Sequence, residues 1–308
     1  THFSDRLVGA LAVYAPNLFG AVMPEDAPTR YLATKAYFIT TYVTAATAYK
    51  LTDKIAMGGG INYIYVALEG NRKFGDYDNP DADPDNDWDL HLDGQEHNAN
   101  FGFGLTYKPI CWMQIGLSYT SEVTLTMDGD FELSPPKGRP GKVSGSQSTK
   151  IPIPQSLRLG FHFDLSKRVE YAVDLSWFDY SVFQVQETVV TPPLPFDPSS
   201  PKDYSDSWNL GMGVVYHFRP RVDLMGGLQY DWSPVPEQTY SLENPTSDLW
   251  GFSFGVGYQW TAQSKVTIAY VHNEYASVNI HNSKTFPPTN GIGQGSNNEL
   301  SMDWTYSF

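Results

Sequence analysis

A single cysteine, Cys111, leaves no internal disulfide to form. It stands beside a short turn and reads as an ordinary small side chain. Long apolar runs are missing as well. Nothing approaches the ~18 consecutive apolar residues that a membrane-crossing helix needs, and the mean hydropathy is −0.35. An α-helical membrane protein is therefore excluded. Basic residues are scarce, with 20 Lys and Arg against 34 Asp and Glu and a net charge of −14. That balance argues against a nucleic-acid partner. The histidines His2, His91, His97, His162, His217, His272 and His281 show no paired metal-ligand spacing. Serine–histidine catalysis needs both groups presented together, whereas the close pair His281 and Ser283 falls in a polar loop. No catalytic residues are assigned.

What the chain does have is a rhythm. Segments alternating apolar and polar residues are joined by short connections at 50–54, 108–111, 164–168, 217–221 and 260–265. Between these come long polar loops at about 16–33, 69–96, 127–152, 184–203, 232–247 and 277–297. The last segment, from Glu299 to Phe308, alternates throughout and stops on an aromatic. Strict period-2 alternation marks a strand with different surroundings on its two faces. Leu157, Leu159, Phe161, Phe163 and Leu165 form one such row, opposite Arg158, Gly160, His162 and Asp164. Trp208, Leu210, Met212, Val214, Tyr216 and Phe218 form another, as do Trp250, Phe252, Phe254, Val256, Tyr258 and Trp260. Glycines in the facing rows leave room inside. Aromatics make up 15% of the chain and gather near segment ends, where interfacial girdles sit.

Short turns on one side, long loops on the other and low mean hydropathy describe an all-β chain, a transmembrane antiparallel β-barrel of a bacterial outer membrane. One domain spans 1–308. Twelve strands are expected, at about 6–15, 34–50, 54–68, 96–107, 112–126, 154–165, 168–183, 206–218, 221–231, 248–260, 264–276 and 298–308. Counting back from Phe308 at the periplasmic rim puts every short turn in the periplasm and every long loop outside. There is no signal peptide or initiating Met, so the chain reads as a mature or trimmed product. Phe3–Gly9 has the form of the exit from a periplasmic turn, like Leu51–Gly58, so an upstream strand is expected and the barrel is read as N-terminally incomplete.

Pro154-Gln155-Ser156-Leu157-Arg158-Leu159-Gly160-Phe161 is followed by Val173-Asp174-Leu175-Ser176-Trp177-Phe178-Asp179-Tyr180-Ser181-Val182-Phe183. Then come Asp206-Ser207-Trp208-Asn209-Leu210-Gly211, Tyr230-Asp231-Trp232-Ser233-Pro234-Val235-Pro236, Gly257-Tyr258 and Ala269-Tyr270-Val271-His272. In their order and spacing these segments resemble the FadL-type outer-membrane transporters of long-chain fatty acids and other hydrophobic compounds. The resemblance implies a fourteen-stranded barrel with an N-terminal hatch, of which the hatch and first two strands are absent here. It also implies passive transport: capture of apolar cargo by the loops, binding inside, and lateral exit at an inward kink in the family's third strand. That strand corresponds to the first one here.

The residues support part of this unaided. Val13–Gly20 interrupts a regular strand, and proline is confined to strand edges, ends or bulges. Tyr14, Pro16, Asn17, Phe19 and Gly20 are therefore candidates for a ligand-binding lateral opening, the alternative being that the strand ends there and a loop begins. Arg158, in the lumen row with His162, Asp174, His217, Asp223 and Asp231, is a candidate partner for a carboxylate head group, or else a partner for a neighbouring lumen acid.

The Asp-rich stretch is read in two ways. Asp81, Asp83, Asp85, Asp87 and Asp89 could supply oxygens to Ca²⁺, the one cofactor considered. Otherwise they form a solvated acidic loop beside anionic lipopolysaccharide. Expected partners are the lipid bilayer, lipopolysaccharide, a hydrophobic small-molecule cargo, and the missing N-terminal segment or another outer-membrane protein. The alternative function is a barrel subunit or docking platform in an outer-membrane complex. A general porin fits poorly with the glycine-rich, partly aromatic lumen rows.

Overall fold

The computed structural model describes residues 1–75, 83–194, 197–242, 245–288 and 290–307. Phe308 and Asp81 lie outside them. The wall begins with β1 (Leu7–Tyr14) and β2 (Leu18–Val22), then β3 (Lys35–Lys50), β4 (Ile55–Phe74) and β5 (Trp88–Ile110). Next come β6 (Met113–Thr120) and β7 (Val123–Ser134), β8 (Val143–Ile153) and β9 (Ser156–Ser166), and β10 (Val169–Phe178) and β11 (Val185–Thr191). A two-residue bridge, β12 (Ser200–Pro201), precedes β13 (Ser207–Arg219), β14 (Val222–Trp232), β15 (Leu249–Gln259), β16 (Ser264–Ile280) and β17 (Gly291–Tyr306).

Four wall strands are broken in two, so these segments make twelve staves, as expected from the sequence. Every ladder is antiparallel and joins neighbours in order, from β1 and β2 on β3 round to β16 on β17. Among the described residues no registered ladder joins β17 to the first stave. β17 is correspondingly exposed along almost its whole length.

The outer face carries the predicted rows. Trp208, Met212, Val214, Tyr216 and Phe218 are exposed on β13, and Trp250, Phe252, Phe254, Val256 and Tyr258 on β15. In water such rows would be an aggregation hazard; against lipid they are the solvated surface. Trp250 and Trp260 stand ten positions apart. At about 3.4 Å per residue and a tilt near 40° they bracket an apolar band of roughly 25 Å.

Among the described residues the expected loops at 69–96 and 127–152 are largely strand instead, and that at 184–203 contains one. β4 and β5 continue their ladder up to Phe74 and Trp88, β7 pairs with β8 as far as Leu133 and Val143, and β11 fills 185–191. The reason is physical. Above the bilayer one face of these strands meets water, so polar and charged residues fill half the positions although the alternation persists: Trp88, Leu90 and Leu92 interleave with Asp89, His91 and Asp93 in β5, and Val123, Leu125, Met127, Phe131 and Leu133 with polar residues in β7. Inside the wall, Tyr42, Ile64, Val66, Val123, Leu125 and Met127 form a buried apolar cluster, with Phe38, Leu68, Ile151 and Ile153 against it. Burying each aliphatic side chain stabilises by about 1.5–3 kcal/mol.

Candidate functional site

The first stave is broken where the sequence suggested. Tyr14 pairs with Tyr42, but Leu18 pairs with Ile39. Ala15, Pro16 and Asn17 thus oppose only Thr41 and Thr40, which is a bulge of one extra residue. Pro16 has no N–H to give to a ladder. Asn17 keeps its backbone groups satisfied through Thr40: its N–H donates to Thr40 Oγ1 at 3.2 Å, and Thr40 N–H donates to its carbonyl at 2.9 Å. Thr40 is wholly buried. Its role is not legible in the sequence, because a threonine inside a strand is ordinary until its partner strand is known.

The extra residue exchanges the faces of the stave. Below it the odd positions Leu11 and Val13 are exposed outward; above it the even positions Leu18 and Val22 are. Tyr14 consequently looks inward, its ring 5.6 Å from that of Tyr42, and Phe19 also turns from lipid. Gly20 faces outward beneath Tyr37, whose ring occupies the space a side chain at position 20 would need.

Behind the bulge lies a cavity of about 670 Å³. Pro16, Asn17, Leu18 and Phe19 form one side of it, and Phe38, Leu68, Leu90, Leu92, Ile151, Ile153 and Phe183 supply most of the apolar remainder. Lys35 and Glu69, paired at 2.6 Å, and Lys284 and Asp203, paired at 2.7 Å, stand at or beside its rim. Asp197 also borders it, and the Ser199 backbone N–H holds its carboxyl below the usual carboxylate range. The volume falls within the ~300–1,000 Å³ typical of small-molecule sites.

A second, more polar cavity of about 540 Å³ contains Arg158, Asp174, Asn209, Asp231 and Tyr275. Tyr180 and Tyr204 line both cavities and meet edge to face at 6.3 Å, forming the partition. Arg158 lies 5.7 Å from the Phe178 ring centroid. Among the described residues it makes no ion pair within 4.0 Å. The candidates therefore divide: Pro16, Asn17 and Phe19 share the apolar cavity, Arg158 belongs to the polar one, and Tyr14 and Gly20 flank the break.

These features form a barrel wall whose first stave is interrupted by a bulge, backed by an apolar chamber under long loops. Over residues 1–308 the chain matches the profile described as outer membrane protein transport protein (OMPP1/FadL/TodX). The chain belongs to this family. The FadL family is one of outer-membrane transport, not of catalysis, and the chain is an outer-membrane β-barrel. It is 21% identical over 257 residues to the long-chain fatty acid transport protein of Salmonella typhi, covering 75% of this chain and 59% of that protein. To a putative outer membrane protein of Neisseria meningitidis it is 25% identical over 212 residues, 60% of this chain and 44% of that one. The chain thus spans about half the length of the curated relatives it matches. Among solved structures, a Pseudomonas aeruginosa FadL homologue superposes with a TM-score of 0.86 at 17% identity, over 99% of this chain and 76% of that one. The Ralstonia pickettii toluene transporter TbuX gives 0.71 at 14%, over 99% and 79%. Both likenesses concern the fold.

The acidic stretch of this FadL-family chain is dispersed among other partners. Asp83 caps a 3-10 turn, accepting from Asp85 N–H at 3.0 Å. Asp87 is buried against Arg30 at 2.7 Å, and Asp89 meets Lys73 at 2.6 Å. Ser283 Oγ lies 2.8 Å from Thr285 Oγ1 rather than beside His281.

Proposed function

We propose that the barrel carries a hydrophobic small molecule, of the fatty-acid or aromatic-hydrocarbon class, from the apolar chamber into the membrane through the break at Ala15–Asn17. One observation carries this reading: Pro16 and Asn17 both interrupt the wall and line the chamber, with Leu18 and Phe19 beside them. An apolar molecule there has lipid a single stave away, and its transfer to lipid is favourable by about 25 cal/mol per Å². The names of the relatives above, which concern fatty acids and toluene, point to the same class of cargo. Arg158, in the polar chamber past the tyrosine partition, supplies a station for a carboxylate head group.

The bulge permits a sharp test. Deleting Pro16 removes the one extra residue. Asn17 then pairs with Thr40 in the register of β1, and Leu18, Gly20 and Val22 keep their outward face. The wall is closed without changing either half of the stave. Cells displaying the parent chain, the Pro16 deletion or Pro16→Ala at equal surface level would be compared for uptake of a labelled long-chain fatty acid and of labelled toluene. We expect the deletion to abolish uptake of both and Pro16→Ala, which keeps the bulge, to retain it. Full uptake by the folded deletion variant would overturn the lateral route.

A further inference from the structure

Near the short turn between β9 and β10, the lumen face holds side chains that passage of an apolar molecule does not need. Asp164 and Glu170 are direct cross-strand partners, a like-charge pair that destabilises a bare sheet. His162 lies two positions before Asp164 and shares its face. Its Nε2 stands 3.2 Å from Asp164 Oδ1 and 3.9 Å from Glu170 Oε2. Among the described residues neither carboxylate meets a lysine or arginine within ion-pair distance; their partners are imidazoles.

A second row supports the first. His217 on β13 places Nε2 2.8 Å from Glu170 Oε1 and Nδ1 2.7 Å from Asp223 Oδ1. Lys265 Nζ donates to the other Asp223 oxygen at 2.6 Å. Lys265 belongs to β16 and reaches Asp223 on β14 across β15. It can do so because Gly257, the cross-strand partner of Asp223, leaves the way open: a Cβ there would stand 2.9 Å from Lys265 Cε. Both nitrogens of His217 are thus engaged, Nε2 with Glu170 and Nδ1 with Asp223, while Nε2 of His162 is shared between two carboxylates.

We propose that His162, Asp164 and Glu170 bind a divalent transition-metal ion, with zinc as the type, at the periplasmic mouth of the lumen. Their ligand atoms all lie within 4.8 Å of one another. Two ligands on one zinc stand at most about 4.2 Å apart, twice a bond length near 2.1 Å. The two distances from His162 already satisfy that limit, and the carboxylates need only a small rotation to complete it. One imidazole with two carboxylates suits a borderline ion better than calcium, which takes oxygens only. Three protein ligands leave a fourth position for water. His217, braced by Asp223 and Lys265, is a positioning residue that fixes the second oxygen of Glu170, the support that metal-bound carboxylates usually have.

The test uses the untagged chain, folded in detergent micelles and stripped with a chelator. Zinc is titrated in competition with a chromophoric chelator, and cobalt is added separately for its visible spectrum. We expect one zinc per barrel. Asp164→Asn and His162→Gln should each weaken binding by on the order of 100-fold, and His217→Gln by roughly tenfold. His97→Gln, away from this cluster, should change nothing. Asp164→Asn relieves a like-charge pair, so its folding is not at risk. Equal zinc uptake by the parent and the Asp164→Asn and His162→Gln variants would overturn the proposal. So would a parent barrel that takes up no zinc or gives a cobalt spectrum without a nitrogen ligand.

Discussion

Arg30 donates from Nε to Asp87 Oδ2 at 2.7 Å, and neither side chain keeps more than 3% of its surface in water. Tyr31 completes the group, its hydroxyl 2.6 Å from Arg30 Nη2 and 3.2 Å from Asp87 Oδ1. The two ends come from different extracellular connections, one after β2 and one before β5, so the pair latches the roof over the first staves. Removing one partner of a buried pair leaves a stranded charge and costs about 3–5 kcal/mol, whereas replacing both with apolar groups is often neutral. Arg30→Met should therefore expose residues 83–88 to limited proteolysis, and Arg30→Met with Asp87→Leu should restore much of the protection. Equal cleavage of the single and double variants would show that the latch does not depend on charge.

Thr40→Val keeps the shape of the residue opposite the bulge but removes the oxygen that accepts from Asn17 N–H. An unsatisfied buried donor costs about 1–3 kcal/mol. The variant should loosen the break specifically. Faster amide exchange at Asn17 and Leu18 than in the parent, with exchange along β13–β16 unchanged, is the expected outcome.

Arg158→Gln should separate two kinds of cargo. Loss of a charge-assisted partner weakens a carboxylate ligand by about 1.5–3 kcal/mol, which is roughly 10- to 150-fold in affinity. Binding of a fatty acid should fall accordingly while that of its uncharged methyl ester or of toluene is unchanged. Equal losses for acid and ester would remove the head-group role.

For the acidic stretch, Arg30 and Lys73 already hold two of the aspartates nominated as calcium ligands. We expect millimolar Ca²⁺ to leave the protease pattern of residues 83–89 as it is. Protection by Ca²⁺ that disappears in Asp83→Asn with Asp85→Asn would instead assign an ion to this loop.

The membrane-embedded wall was legible because lipid and lumen impose opposite demands on alternate residues, so β13, β15 and β16 announce both themselves and their facing. The tall parts of β4, β5 and β7 look like loops in the sequence because charged and polar residues fill so many of their positions, although β5 and β7 keep the alternation. The break at Pro16 could be read from a single residue type. Its depth could not, because the cavity behind it is assembled from β4, β5, β8 and loops far along the chain. The cluster of His162, Asp164, Glu170 and His217 escaped for a related reason. A search for ligands at short spacing cannot see residues that only the registers of β9, β10 and β13 bring side by side. Knowing that β9 and β10 form a hairpin would have been enough to place Asp164 against Glu170.

The one-residue excess at Ala15–Asn17 also bears on inheritance. Along the first stave the rule for an acceptable substitution changes phase at a single codon: an apolar residue is demanded at odd positions before it and at even positions after it. A gap placed one position away in an alignment of relatives would assign lumen residues to lipid. A frame-preserving loss of one codon at the break keeps every surviving residue on its proper side. A one-codon loss anywhere else in the stave turns the intervening residues the wrong way round. Closure of the break is therefore a change the sequence can make in one step without turning any residue to the wrong side of the wall.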